Sequence, residues 1–279
     1  MTYKTILASL NEVSQVACIL RAATSIARKE EADVIGLYVI PAIELQLVSE
    51  IEVLPIQNDE LQRLFKQQEQ FVRSTFEHAV LEAGVHGEFR VVDAPEARIG
   101  SVVMEESREA DLVIIGYSSS SSSRALGAGF SEDVFIGSGR PTLVMPPTGR
   151  SGFPVERVLV GWNGSREAAR AIFDSIPLFK HADEVLVAST DPGSRNQTHF
   201  EVRRTALIRA LLRHGVKVRT IDLDSSWEAG EALLARAESR QVSLLVMGAY
   251  GHARLREFLL GGATRTVLKG MKCPVLFSH

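Results

Sequence analysis

The sequence predicts an α/β fold made of two doubly wound, five-stranded parallel sheets. Two observations lead to this prediction: short apolar runs alternate with helical patterns, and the second half of the chain repeats the first. The strand-like runs are continuously apolar, as in LVIIG and LLVMG, which is typical of parallel strands covered by helices on both faces. We therefore expect two similar domains arranged as a pseudo-two-fold tandem repeat.

The repeat is visible in three places. KTILASLNEVSQVACILRAA near the start resembles ERVLVGWNGSREAARAIFDS from residue 156, ADLVIIGYSSS resembles VSLLVMGAYGH, and RPTLVMPP resembles KCPVLFSH. The stretch PPTGRSGFP (146–154) separates the copies, and its proline and glycine content is typical of a short linker. The predicted domains are residues 1–148 and 154–279.

Within each copy, apolar runs and helical spacing define the expected elements. Strands are predicted near residues 5–10, 33–40, 87–93, 111–116 and 141–146, and again near 157–162, 184–190, 216–222, 243–248 and 274–278. In the second copy, helices are predicted near 165–178, 196–214 and 227–241, with one more starting near Gly262. The first copy carries an insertion, 41–59, that either caps a cleft or lengthens a crossover.

Composition narrows the class of protein. The 279 residues are 45% hydrophobic and 23% charged, and 31 basic against 34 acidic residues give a net charge of −3. This balance, with 6% aromatic residues, argues against a nucleic-acid partner. No run has the pattern of a signal peptide or a membrane span. The two cysteines, Cys18 and Cys273, suit a reducing compartment, so a cytoplasmic protein without a membrane partner is expected.

A ligand site is expected where the second copy's first and fourth strands end. Open α/β sheets bind ligands beyond the carboxyl ends of their strands, at the point where the strand order reverses. Glycines there let backbone N–H groups approach an anion, and a following helix N-terminus adds partial positive charge. The residues at these ends are Asn163, Gly164, Ser165, Met247, Gly248, Gly251, His252, Gly261, Gly262, Ala263 and Thr264. A purely structural turn remains open as an alternative.

The spacing Gly248-x2-Gly251-x9-Gly261 resembles the nucleotide-binding signature of the universal stress protein family, G-2x-G-9x-G-[S/T]. VLVGWNGSREAARAI resembles the opening strand and helix of that family. The resemblance covers both copies and implies the strand order 3-2-1-4-5 and pairing of the two domains through their last strands. It also implies ATP or AMP binding in many members and none in others, with Mg²⁺ only alongside ATP.

Three positions depart from the family pattern. Asn163 stands where ATP-binding members have aspartate, and Gly262 replaces the Ser or Thr of the signature. Ser189 aligns with a valine that contacts adenine in the family. The spacing of the signature is therefore kept while its side chains are changed.

The run of six serines in GYSSSSSSRALGAGF (116–130) falls inside the first copy. A shift of 132 residues sets Gly116 on Gly248, Ser119 on Gly251 and Phe130 on Gly262. Residues with a Cβ restrict the backbone at these positions, and Phe130 would crowd an anion. The serine run is thus predicted to be a degenerate nucleotide loop rather than a linker.

No pattern for catalysis is found in the sequence. The seven histidines are scattered, and neither H-x-x-x-H nor C-x-x-C occurs, so no metal site and no catalytic residue is predicted. The leading hypothesis is a regulatory stress-response protein that binds ATP or AMP in its second domain. Two alternatives remain open: a scaffold or sensor for another small molecule or a protein partner, and a weak nucleotide hydrolase. The hydrolase loop S-G-G-x-D-S is missing. A homodimer of the whole chain is also left open.

Overall fold

The computed structural model describes residues 2–41, 58–94, 98–117, 126, 129–149, 152–189, 197–223, 226–249 and 262–279. The first half runs β1 (Thr5–Ser9), α1 (Val16–Glu30), β2 (Asp33–Pro41), α2 (Asn58–Ala83), β3 (Gly87–Ala94), α3 (Ile99–Glu106), β4 (Leu112–Gly116), α4 (Phe130–Gly137) and β5 (Thr142–Met145). The second half runs β6 (Arg157–Trp162), α5 (Arg166–Asp174), α6 (Ile176–Lys180), β7 (Glu184–Ser189), α7 (Gln197–Arg213), β8 (Val218–Ile221), α8 (Ala229–Ser239), β9 (Leu244–Gly248), α9 (Gly262–Gly270) and β10 (Val275–Ser278).

All ten strands form one sheet in the order β3-β2-β1-β4-β5-β10-β9-β6-β7-β8. Each half is parallel and has the order 3-2-1-4-5, as the family resemblance implies. The two last strands, β5 and β10, pair antiparallel, with Leu143 opposite Leu276. The expected pairing of the domains through their last strands is confirmed: it covers both apolar edge strands and joins the two five-stranded sheets into one continuous sheet.

Helices cover both faces of this sheet. One core cluster contains side chains of α1, α2, α5, α6 and α7, and the other contains side chains of α3, α4, α8 and α9. Both clusters cross the join between the halves, where Phe135 of α4 stacks on Phe277 of β10 with ring centroids 4.7 Å apart. Burial on both faces accounts for the continuously apolar strands.

The two halves also touch outside the sheet. The Tyr3 hydroxyl donates a hydrogen bond to the Asp174 carbonyl at 2.6 Å. His181 Nε2 lies 2.8 Å from the Glu30 carboxylate, which is almost fully buried. These contacts, together with the strand pairing, agree with the predicted pseudo-two-fold packing.

Predicted and observed elements agree closely, with one helix divided. The helix predicted over 165–178 is two helices, α5 and α6, separated at Ser175. Pro177 lies in the first turn of α6, where its missing N–H is tolerated but α5 cannot continue through it. The insertion is only partly visible: residues 42–57 lie outside the described residues, and α2 begins at Asn58.

A search of the described residues for a helix long and apolar enough to span a membrane finds none.

Candidate functional site

The strand order reverses between β6 and β9. These strands are parallel neighbours, with Gly161 opposite Met247. After β6 the chain crosses to β7 on one side of the pair, and after β9 it crosses to β10 on the other side. Beyond their carboxyl ends, α5 and α9 begin on opposite faces of the sheet. Two helix N-termini thus lie at the same end of the sheet, and backbone N–H groups at a helix start can bind an anion where no side chain caps them.

The segment after β6 is a tight turn that starts α5. The Asn163 side-chain oxygen accepts a hydrogen bond from the Ser165 backbone N–H at 3.1 Å, and Gly164 has φ +77°, where glycine is favoured. The Ser165 hydroxyl caps α5 by accepting from the Ala168 N–H at 3.1 Å. The structure therefore gives Asn163, Gly164 and Ser165 a local structural role at the edge of the crevice.

Gly248, the last residue of β9, is required by packing. A Cβ at this position would lie 2.4 Å from the Ala168 backbone nitrogen and 2.5 Å from the Glu167 carbonyl carbon. The first turn of α5 therefore rests directly on the end of β9, and only glycine allows this approach. Met247 points into the core and is 7% exposed, so its side chain lies away from the crevice.

The start of α9 is fixed by its contact with α8. A Cβ at Gly230 of α8 would come within 2.9 Å of the Ala263 carbonyl, so the two helices are in close contact. Thr264 is buried and Gly262 is exposed, and no atom of the described residues lies within 4 Å of a Cβ built on Gly262. Space at the first N–H groups of α9 is what an incoming anion requires.

Three predicted site residues, Gly251, His252 and Gly261, lie outside the described residues, as does the serine run 118–123.

Two charged side chains near the crevice were not predicted from the sequence. Glu167 in the first turn of α5 is buried, which acts to raise its pKa. Hydrogen bonds from Arg166, from its own backbone N–H and from Ser165 outweigh burial and lower the pKa. Arg204 of α7 donates to the Ser189 hydroxyl at 2.9 Å. In the sequence, the position of Glu167 just after the capping Ser165 could have indicated a residue at the crevice. Nothing in the sequence distinguished Arg204 from the other arginines of α7.

The equivalent crevice of the first half is filled by side chains. Asn11 pairs with the Val39 backbone through both its amide groups, at 2.7 and 3.0 Å, instead of forming a turn. The next residue is Glu12, 8% exposed, where the second half has Gly164. Gln15 donates to the Tyr117 carbonyl at 2.7 Å and lies across Gly116.

At the start of α4, the residue equivalent to Gly262 is Phe130. Its side chain is 4% exposed and belongs to the core around α3, where a Cβ on Gly100 would lie 3.5 Å from the ring. Phe130 thus replaces an open glycine by a buried aromatic ring, as the repeat alignment predicts.

Within the described residues, no group of three or more His, Cys, Asp or Glu side chains is placed to hold a metal ion.

The fold defines a class: a tandem pair of doubly wound α/β domains joined through their last strands. The profile of the universal stress protein family matches residues 2–146 and again residues 154–279. The chain belongs to the universal stress protein family.

Individual universal stress proteins are similar to this chain over all or part of its length. The crystal structure of a universal stress protein from Archaeoglobus fulgidus aligns with 98% of this chain and 97% of its own chain. The identity is 16% and the TM-score is 0.71. A shorter universal stress protein from that organism, crystallised in complex with dAMP, covers 52% of this chain and is covered over 98% of its own length, at 17% identity and a TM-score of 0.35. A universal stress protein from Synechocystis is 42% identical over 48 residues, which is 17% of either chain.

Proposed function

We propose that the second domain (154–279) binds a nucleotide by its phosphates in the crevice between β6 and β9, and that the first domain (1–148) binds none. ATP and AMP, with Mg²⁺ accompanying only ATP, are the ligands implied by the resemblance. The role is regulatory, within a stress response, rather than rapid turnover.

The contrast between the two crevices carries this proposal. Where the second half has Gly164 and the open Gly262, the first has the buried Glu12 and Phe130. Glu12 places a carboxylate where the second half has only glycine backbone, and Phe130 places a ring in the core where Gly262 has no side chain. Two domains with the same fold thus differ at the positions that an anion would contact.

The crevice offers binding groups rather than catalytic ones. Its anion donors are mainly the backbone N–H groups at the start of α9, because side chains of Asn163, Ser165 and Glu167 already accept from those of α5. Glu167 is the buried ionisable side chain among the described residues there. Its hydrogen bonds lower its pKa below the usual value, so it is a carboxylate at neutral pH. General acid–base catalysis needs a group with a pKa near the working pH, and Glu167 is shifted the other way.

Glu167 also bears on the form of the ligand. A buried carboxylate near the phosphates disfavours a highly charged anion unless a cation lies between them. We therefore expect ATP to bind better with Mg²⁺ than without it, whereas AMP binding should depend little on Mg²⁺.

The substitution Gly262→Asp separates binding from folding. An acidic side chain in the first turn of α9 favours the helix by about 0.3–1 kcal/mol. The same charge opposes a bound phosphate, by about 4 kcal/mol for unit charges 4 Å apart at an effective dielectric of 20. We expect equal or higher thermal stability and an affinity for ATP and AMP lower by at least about tenfold, measured by titration calorimetry.

Ser101→Asp is the matched control, because Ser101 is exposed in the first turn of α3 in the first domain. It should leave nucleotide affinity unchanged. Unaltered binding in Gly262→Asp, or equal losses in both variants, would contradict the proposed location.

A further inference from the structure

A group of polar side chains at the carboxyl end of β7 has no part in the phosphate site. Ser189 Oγ accepts a hydrogen bond from Arg204 Nη1 at 2.9 Å. The Arg204 side chain is 18% exposed and is held between the carboxylates of Glu201, at 2.6 Å, and Asp222, at 3.6 Å. These contacts fix the guanidinium beside the last residue of the strand that neighbours β6.

The Ser189 side chain shares its face of the sheet with a second donor. Ser189 is in register with Trp162, the last residue of β6, so the two side chains project to the same side. Trp162 is 6% exposed, and among the described residues its indole Nε1 has no acceptor. The next residue, Asn163, begins the turn at the crevice. The polar group therefore lies one strand from the proposed phosphate site, within the reach of a bound nucleotide.

This group presents hydrogen-bond donors. Because the Ser189 oxygen accepts from Arg204, its own hydrogen is directed elsewhere. The Glu201 carboxylate is paired with Arg204 at 2.6 Å, whereas Asp222 forms only a longer ion pair at 3.6 Å. Adenine carries an amino group, a donor, at position 6, whereas guanine and hypoxanthine carry a carbonyl oxygen there, next to the acceptor N7.

We propose that the site prefers a nucleotide with a 6-oxopurine base, guanine or hypoxanthine, over one with adenine, and that Ser189 and Arg204 read the base. This inference rests on the proposed function, because it takes the phosphates to be held at the start of α9. Arginine is the side chain that most commonly recognises O6 and N7 of guanine. Asp222 is 93% exposed, and such an ion pair is weak, so a base can displace it.

The first half offers a matched arginine. Arg73 lies eleven residues before Gly84, the glycine that follows α2, as Arg204 lies eleven before Gly215. Its guanidinium instead stacks on the Phe89 ring, 4.5 Å from the centroid. An Arg73 variant loses the same charge at the same place in the repeat, away from the proposed base.

The test compares IMP with AMP, which have the same sugar and phosphate and differ at position 6 of the base. Titration calorimetry on the full chain should show IMP binding at least about tenfold more tightly. Ser189→Val and Arg204→Met should each remove the preference, whereas Arg73→Met should keep it. Thermal unfolding checks that the variants fold. If Arg204→Met does not fold, Ser189→Val, which leaves Arg204 in place, decides the test.

Each other outcome is decisive. Binding of AMP as tight as that of IMP, or a preference for IMP that survives both substitutions, overturns the base assignment and leaves the proposed function standing. Failure of every nucleotide to bind overturns the proposed function and this inference together.

Discussion

Gly248→Ala tests the contact on which the crevice is built. The added Cβ would lie 2.4 Å from the Ala168 nitrogen, about 1 Å inside ordinary van der Waals contact, which begins at 3.4 Å. The atoms that it meets are helix backbone, so no rotamer change relieves the overlap and the start of α5 must move.

The cost follows from two contributions. Overpacking typically destabilises by about 1–3 kcal/mol. Displacing the first turn of α5 also weakens the Ser165 cap, worth about 1 kcal/mol. A total of about 2–4 kcal/mol corresponds to a fall in Tm of roughly 3–7 °C for a chain of this size.

Gly262→Ala is the companion variant, because a Cβ there meets nothing within 4 Å. Replacing glycine in a helix by alanine should raise stability by about 0.4–1 kcal/mol. Differential scanning calorimetry of both variants gives the comparison. A Gly248→Ala protein that melts within a degree of the unmodified chain would refute the packing of α5 on β9.

Three further predictions concern the rest of the molecule. Phe277→Ala should lower the free energy of unfolding by about 3–5 kcal/mol, since Phe277 is 0% exposed and stacks across the join. Phe71 is 57% exposed, so Phe71→Ala should change this free energy by under about 0.5 kcal/mol. Urea unfolding measures both. Burial, aided by Asp174, Glu30 and Asp111, holds the pKa of Tyr3 well above its usual value, so its contribution to stability is complete below about pH 10 and is lost as the pH rises further. Tyr3→Phe should therefore flatten the fall in the urea midpoint between about pH 9 and 11.5, and an unchanged slope would count against the buried position. Burial also raises the pKa of Cys273 to about 11 and, less strongly, that of Cys18, so both thiols should react far more slowly with a thiol reagent at neutral pH in the native chain than in urea, and rapid native labelling of two thiols would disprove this.

Features that follow from local pattern and repetition were accessible from the sequence. Continuous apolar runs located the strands to within about two residues, and the repeat by itself placed Gly116 on Gly248 and Phe130 on Gly262. Strand order came from the family resemblance, because spacing along a chain does not specify which strands are neighbours. The predicted pairing of the two domains through β5 and β10 is confirmed, and it makes one ten-stranded sheet.

Features that depend on contacts between distant side chains were not accessible. Gln15 reaches the Tyr117 carbonyl across about a hundred positions of the chain, and Arg204 meets Ser189 only because α7 packs beside the end of β7. The break between α5 and α6 was an error of interpretation, since Pro177 was present in the sequence as a signal. The filling of the first crevice by Glu12 was likewise missed, although the repeat sets it beside Gly164.

The central claim is that one domain of the pair binds nucleotide and the other does not. Native mass spectrometry of the full chain, titrated in turn with ATP, AMP and IMP, measures this as stoichiometry. The account predicts one nucleotide per chain at saturation, lost in Gly262→Asp and retained in Ser101→Asp. Two nucleotides per chain, or one that survives Gly262→Asp, would contradict it.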